Sequence, residues 1–121
     1  MAFEKILVVD DSPTELNLIV TPLKSKGYQV TTAVDGEEAL ARVGRDQPDL
    51  IVLDVVLPKK NGFQVCRQLK TSPDTKAIKI LMLTSKDQDS DKFWGLKQGA
   101  DAYMTKPFKE DDFLTNIANL L

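Results

Sequence analysis

Five times along this chain a short apolar run gives way to a stretch with helical spacing, and that alternation restricts the fold more than any other feature. Ile6 to Val9 is unbroken aliphatic, as a strand must be when both its faces are buried in a parallel sheet. Comparable runs are Tyr28 to Ala33, Leu50 to Val56, Ile78 to Leu83 and Ala102 to Thr105. Between them, Leu16, Ile19, Val20 and Leu23 share one face of a helix, and Phe113, Leu114, Ile117, Ala118 and Leu121 share another. Strands joined through helices need right-handed crossovers and bury both faces of the sheet. The expected class is therefore α/β, a (βα)5 doubly wound, five-stranded parallel sheet. The pattern alone leaves the strand order open.

Local punctuation divides the chain at the same places. Ser12 before Pro13 reads as an N-cap followed by proline at the first helical position. Asp35 is placed to cap a helix with Glu37 and Glu38 in its first turn, where the helix dipole favours acids. Gly27 and Gly99 stand where helices end in a left-handed residue. Pro22 falls inside the first helical period and is expected to kink or shorten it. Thr71 to Thr75, with its Ser-Pro-Asp centre, reads as a loop.

Composition narrows the function. The chain has 121 residues, the size of one ordinary domain, so a single domain over 1–121 with no output domain is expected. Lys plus Arg is 16 against 18 Asp plus Glu, and that balance lacks the basic excess a nucleic-acid partner demands. Cys66 is the one cysteine, which excludes an intrachain disulfide and a thiolate zinc cluster. There is no histidine, which excludes a Ser-His-Asp triad, His-ligated metals and a phosphohistidine carrier. The apolar runs are far too short to cross a bilayer, and the start Met-Ala-Phe-Glu-Lys has no signal-peptide core. A cytoplasmic protein with no membrane partner is expected.

In doubly wound sheets, ligands bind beyond the carboxyl ends of the strands. Those ends here carry Asp10 and Asp11, then Asp54, then Thr84 and Ser85, then Lys106. Each has an ordinary reading: a paired Asp caps helices, and Thr84 or Lys106 alone is commonplace. Asp54 inside Leu50 to Leu57 is more pointed, because a carboxylate among apolar neighbours costs several kcal/mol unless compensated. Three acids within about 5 Å would repel by about 3 kcal/mol per pair at an effective dielectric near 20, so such a cluster calls for a cation. All-oxygen ligands favour Mg2+. A carboxylate beside that ion is suited to accept a phosphoryl group, with Lys106 holding one phosphoryl oxygen and Thr84 donating to another.

These residues resemble the receiver domain of two-component response regulators, of the single-domain chemotaxis-regulator type. The resemblance rests on Lys5 to Asp11, Asp49 to Asp54, Pro58 with Gly62, Leu83 to Ser85, Gly99 to Asp101 and Tyr103 to Phe108, and it spans essentially the whole chain. Phe93 to Ala100 also resembles the twitching-motility and phototaxis subgroup. The strand order 2-1-3-4-5 of that flavodoxin-like fold comes with the resemblance rather than from the pattern. It implies Asp54 as phosphoacceptor, and Mg2+ held by Asp11, Asp54 and the main-chain carbonyl of Val56, with Asp10 acting mainly through water. It further implies Lys106 on a phosphoryl oxygen before a cis bond to Pro107, and a switch made of Thr84 and Tyr103. The implied partners are a sensor histidine kinase or phosphotransfer protein, and a downstream motility or signalling protein. The latter would dock on a face made by the fourth helix, fifth strand and fifth helix, where Lys92, Leu96, Tyr103 and Thr105 are expected. A monomer is expected. Trp94 is expected to be a partly buried packing residue and Cys66 inert core. Apolar Val56 and cationic Lys86 occupy positions that tune loss of the phosphoryl group in this family, and neither suits orienting water, so slow self-dephosphorylation is expected.

Two other readings compete. A small Mg-dependent phosphatase would also use Asp54 as nucleophile, but it wants a second acid where Val56 stands. A flavin binder would need a phosphate-cradling loop after the first strand, where Asp10 and Asp11 repel phosphate. Neither a G-x-x-x-x-G-K-[ST] nor a G-x-G-x-x-G motif is present.

Overall fold

The computed structural model describes residues 4–121; Met1 to Phe3, part of the start read for a signal core, lie outside the described residues. The elements are β1 (Lys5–Val9), α1 (Pro13–Ser25), β2 (Gln29–Ala33), α2 (Gly36–Asp46), β3 (Leu50–Leu53), α3 (Gly62–Thr71), β4 (Lys79–Thr84), α4 (Asp89–Lys97), β5 (Ala102–Thr105) and α5 (Glu110–Leu120). The strands form one parallel sheet in the order β2-β1-β3-β4-β5, the expected doubly wound arrangement. Strand β3 stops at Leu53 rather than Val56. The Asp54 side chain accepts the Val56 N–H at 3.1 Å, and this local bond turns the chain out of the sheet.

The two-residue period of the strands sorts their side chains into two cores. Ile6, Val8, Leu50, Val52, Leu81 and Leu83 pack with Ile19 and Leu23 of α1 and Phe113 and Ile117 of α5. Leu7, Val9, Ile51, Leu53, Ile80 and Met82 pack on the other side with Ala39 and Val43 of α2 and Val65, Cys66 and Leu69 of α3. Burying each such aliphatic side chain contributes roughly 1.5–3 kcal/mol, so both faces of the central strands are strongly held. Phe113 meets Phe108 with ring centroids 5.1 Å apart, which anchors the β5–α5 connection to α5.

The caps are as expected. The Ser12 hydroxyl accepts from the Glu15 N–H at 3.4 Å, and Asp35 accepts from the Glu38 N–H at 2.7 Å. Gly27 and Gly99 have φ of 90° and 105°. Of the two effects expected of Pro22, shortening is not seen: α1 runs on to Ser25. Pro22 lacks the N–H for one helical hydrogen bond, and it lies on the buried flank of α1 with Ile19 and Leu23. On α5 the apolar face closes on Leu120 rather than on Ala118 and Leu121, both of which are exposed.

Helix α4 differs from its neighbours, because Gly95 is its only buried residue. Trp94 is 48% exposed, Leu96 45% and Phe93 64%, so the expectation that Trp94 is partly buried packing is wrong. A helix that meets the sheet through glycine has no apolar stripe to hide its larger side chains. Lys97 covers part of Phe93 with its ammonium, 5.7 Å from the ring centre.

Asp101 ties the amino end of β4 to α3. Its carboxylate accepts the Ile80 N–H at 2.8 Å and pairs with Lys70 at 2.9 Å, while Lys70 also donates to the Ile78 carbonyl at 2.6 Å. Nearby Cys66 is fully buried, and burial pushes its thiol up from 9.0 to about 12. The folded state thus favours the neutral thiol; the stability this contributes is complete below pH 9.0 and disappears as pH rises through about 12. We expect Ellman's reagent to leave the native protein unmodified at pH 8 and to titrate one thiol after denaturation. Rapid labelling of the native form would show that Cys66 is not core.

Candidate active site: two buried carboxylates bridged by a lysine

Strand register delivers the charged residues to one place. Val9 pairs with Leu53, so Asp10 and Asp54, each one residue further on, leave adjacent strands side by side. Their N–H groups are pinned to the Ala33 and Val9 carbonyls at 3.1 Å each. Thr84 pairs with Thr105 at the end of β4 and β5, and the Lys106 N–H donates to the Thr84 carbonyl at 2.8 Å. Lys106 thereby starts its side chain beyond the sheet edge, close enough to reach both acids. Gly62 lets α3 begin against β3: a Cβ there would lie 2.2 Å from the Asp54 carbonyl oxygen. The bond from Lys106 to Pro107 is cis.

Lys106 Nζ lies 2.5 Å from Asp10 Oδ2 and 3.1 Å from Asp54 Oδ2. The other carboxylate oxygens accept main-chain N–H groups, Asp10 Oδ1 from Ser12 at 3.0 Å and Asp54 Oδ1 from Val56 at 3.1 Å. The side chains of Lys106, Asp10 and Asp54 are only 11%, 2% and 10% exposed. Burial opposes charge on Lys106, but the Asp10 hydrogen bond and the Asp54 charge outweigh it and hold the ammonium above its ordinary value. Burial raises Asp10, against the pull of Lys106 and the Ser12 N–H. Glu15, one turn into α1, is a third acid at 3.9 Å from Lys106. Nothing in the local sequence marked it; helix periodicity from the Ser12 cap places it on the side facing the strand ends.

A cavity of about 770 Å3 opens over this triad. Asp10, Asp11, Glu15, Asp54, Val56, Ser85 and Lys106 line it, with Leu18, Pro107 and Phe108 as an apolar wall. Asp11 is exposed at its rim. Among the described residues, no three Asp, Glu, Cys or His side chains stand close enough to form a metal-holding group. The expected three-acid cluster is thus realised as two buried acids bridged by Lys106, with Asp11 apart. Thr84 is fully buried and lies outside the cavity lining; its hydroxyl accepts the Lys86 N–H at 3.4 Å. Ser85 lines the cavity in its place. Tyr103 donates its hydroxyl to the Lys86 carbonyl at 2.8 Å. Burial, together with the charges of Asp91, Asp54 and Asp87, raises its phenol from 10.0 to about 12.

Removing the cation would leave two buried carboxylates uncompensated. Lys106→Met should lower stability to urea by about 3 kcal/mol in the presence of a chelator, and adding Asp10→Asn should recover part of the loss. An unchanged urea midpoint would contradict the bridging role.

Comparison with known proteins agrees with this geometry. Residues 6–118 match the response regulator receiver domain family. The chain is 43% identical to the protein PilH of Pseudomonas aeruginosa over 117 residues, which is 97% of each chain. It is 48% identical to the alkaline phosphatase synthesis transcriptional regulatory protein PhoP of Bacillus subtilis over 118 residues, 98% of this chain but only 48% of that one. The chemotaxis response regulator CheY4 of Vibrio cholerae superposes with a TM-score of 0.92 at 33% identity, covering 99% of this chain and 100% of that one. The receiver domain of the sensor histidine kinase PA1611 from Pseudomonas aeruginosa, solved with a magnesium ion coordinated in its active site cleft, superposes with a TM-score of 0.90 at 29% identity over 98% of each chain. With the family pattern covering all but the ends, and Asp10, Asp54 and Lys106 meeting at the strand ends, the chain belongs to the response regulator receiver domains.

Proposed function

We propose that the chain is a phosphorylation-dependent signalling switch that accepts a phosphoryl group on Asp54 from a phosphohistidine of a sensor kinase or phosphotransfer protein. The observation that carries this reading is the Asp54 carboxylate, buried by its neighbours yet facing the cavity, with the Lys106 ammonium 3.1 Å away. One carboxylate oxygen of Asp54 attacks phosphorus, the P–N bond of the donor breaks, and its electron pair leaves with the imidazole nitrogen. Lys106 holds an oxygen of the arriving group as a point charge. The Val56 N–H on Asp54 Oδ1 keeps the carboxylate oriented.

Mg2+ fits this donor set, which is all oxygen and opens on a cavity with room for retained waters. Asp10 and Asp54 already hold one cation, the Lys106 ammonium. Asp11, Asp54 and the Val56 carbonyl would hold the ion, with Asp10 supporting it mainly through water. When bound, it neutralises charge on the transferred group.

Thr84 and Tyr103 both hold Lys86, from its N–H and its carbonyl respectively, so a shift of the Thr84 hydroxyl toward the phosphoryl group is coupled to Tyr103. The response is a population shift on the face of α4, β5 and α5, whose exposed Leu96 and Phe93 suit a protein target. The likeness to PilH and to a chemotaxis regulator supports a motility setting, in which the domain acts in the cytoplasm. Among the described residues, no helix is long and apolar enough to cross a membrane. Receiver domains are phosphoacceptor switches rather than turnover enzymes, and the lack of a second acid at Val56 disfavours the phosphatase alternative.

Acetyl phosphate with magnesium should add one phosphoryl group by intact mass, and Asp54→Asn should abolish the gain. Addition persisting in that variant, or turnover of phosphate esters far beyond one per protein, would overturn the reading. Val56 is 53% exposed and apolar, so it cannot orient an attacking water. The phosphorylated form should persist for minutes or longer, whereas decay within a few seconds would refute that expectation.

A further inference from the structure

Glycine is among the poorest helix formers, so Gly95, two residues before the end of α4, calls for a steric reason. The structure supplies one. A Cβ on Gly95 would lie 2.8 Å from Met82 Sδ, 2.9 Å from Tyr103 Cδ2 and 3.0 Å from Tyr103 Cε2. The sulfur ends a flexible side chain and can retreat. The ring cannot move so freely, because Tyr103 sits beside Met82 in the β4–β5 ladder and its hydroxyl is bonded to the Lys86 carbonyl at 2.8 Å. The Lys86 N–H is in turn bonded to Thr84 Oγ1 at 3.4 Å. One peptide segment between β4 and α4 is therefore gripped from both sides, and the outer grip depends on where the Tyr103 ring rests.

We propose that Gly95 is the positioning residue for Tyr103: the missing methyl is the seat of the ring, and this seat keeps the phenol on Lys86 and the β4–α4 loop closed over Thr84. A side chain at residue 95 would drive the ring outward and release the loop, altering the face of α4. What the movement is for rests on the phosphorylation reading above; the seat itself does not. Gly44 of α2 makes the contrast, since a Cβ there would meet nothing within 4 Å. Both positions stand to gain helix propensity on conversion to alanine, so any difference between them reports the contact.

The test uses the full chain carrying Tyr28→Phe, which leaves Tyr103 as the only tyrosine. Gly95→Ala and Gly44→Ala are compared by phenolate titration and by hydrogen exchange at the Lys86 amide. Gly95→Ala should move Tyr103 ionisation from about 12 back toward the ordinary 10.0. It should also speed Lys86 exchange roughly five- to tenfold, the effect of losing one hydrogen bond. Gly44→Ala should change neither. A folded Gly95→Ala protein with unaltered titration and exchange overturns the proposal. Should Gly95→Ala prevent folding, the Tyr103→Ala background decides: without the ring, Gly95→Ala should fold and be as harmless as Gly44→Ala, and equal damage with or without the ring overturns the proposal. Acetyl phosphate uptake by the parent chain is followed in parallel. Uptake with no Tyr103 response overturns the positioning role alone, while a Tyr103 response without uptake supports the seat and overturns the phosphoacceptor reading alone.

Discussion

The ammonium of Lys106 between Asp10 and Asp54 is the interaction on which the rest of this site depends. Two carboxylates side by side on adjacent strands, each nearly removed from water, would repel and be poorly solvated if left alone. The lysine makes that placement tolerable, and the two main-chain N–H bonds finish the solvation that water supplies elsewhere. The result is a pair of acids kept close by a cation that is held at one end of a flexible side chain. Such a cation can change partners without a change in the backbone, which is what the proposed reaction at Asp54 asks of it.

The sheet exists, in functional terms, to hold three strand ends in this register. Val9 against Leu53 sets the two acids level, and Thr84 against Thr105 sets the lysine at the end of β5, two strands beyond β3. Two cores of aliphatic side chains, one on each face, make that register rigid. Against this rigid centre α4 is loosely attached, touching the sheet through a glycine and leaving Phe93, Trp94 and Leu96 in solvent. A stiff reaction centre beside a weakly held helix is a physical basis for a switch, because a small free-energy change at the site is enough to bias the helix.

Much of this was legible in the residues. The aliphatic runs located all five strands to within a few residues, and helical faces and cap residues located α1, α2 and α5, since period and cap chemistry are local properties. Asp10, Asp54 and Lys106 stood out as strand-end residues. Misreadings came from places where a contact overrides local preference. Val55 and Val56 look like strand, but the Asp54 side chain turns the chain at Val56. Pro22 looks like a helix breaker, but burial holds α1 together around it. Trp94 reads as a partly buried packing residue, but α4 packs by Gly95 and leaves the indole about half exposed. Glu15 was not singled out, because only the closeness of α1 to the end of β5 brings it to Lys106.

The sequence by itself determined the class of fold and the identity of the charged residues, because alternating aliphatic runs can be buried in few ways and strand ends follow from where those runs stop. It did not determine how the charges pair. That three acids would gather around a metal ion, with Lys106 nearby, was a reasonable inference from the strand ends, yet the folded chain sends Lys106 between two of them and leaves Asp11 at the rim. Likewise Thr84 turns inward to Lys86 while Ser85 takes the wall of the cavity, and the ring of Tyr103 finds its seat on Gly95. Pairing, side-chain direction and close packing are decided by residues far apart in the chain, through burial and electrostatics that no local stretch contains.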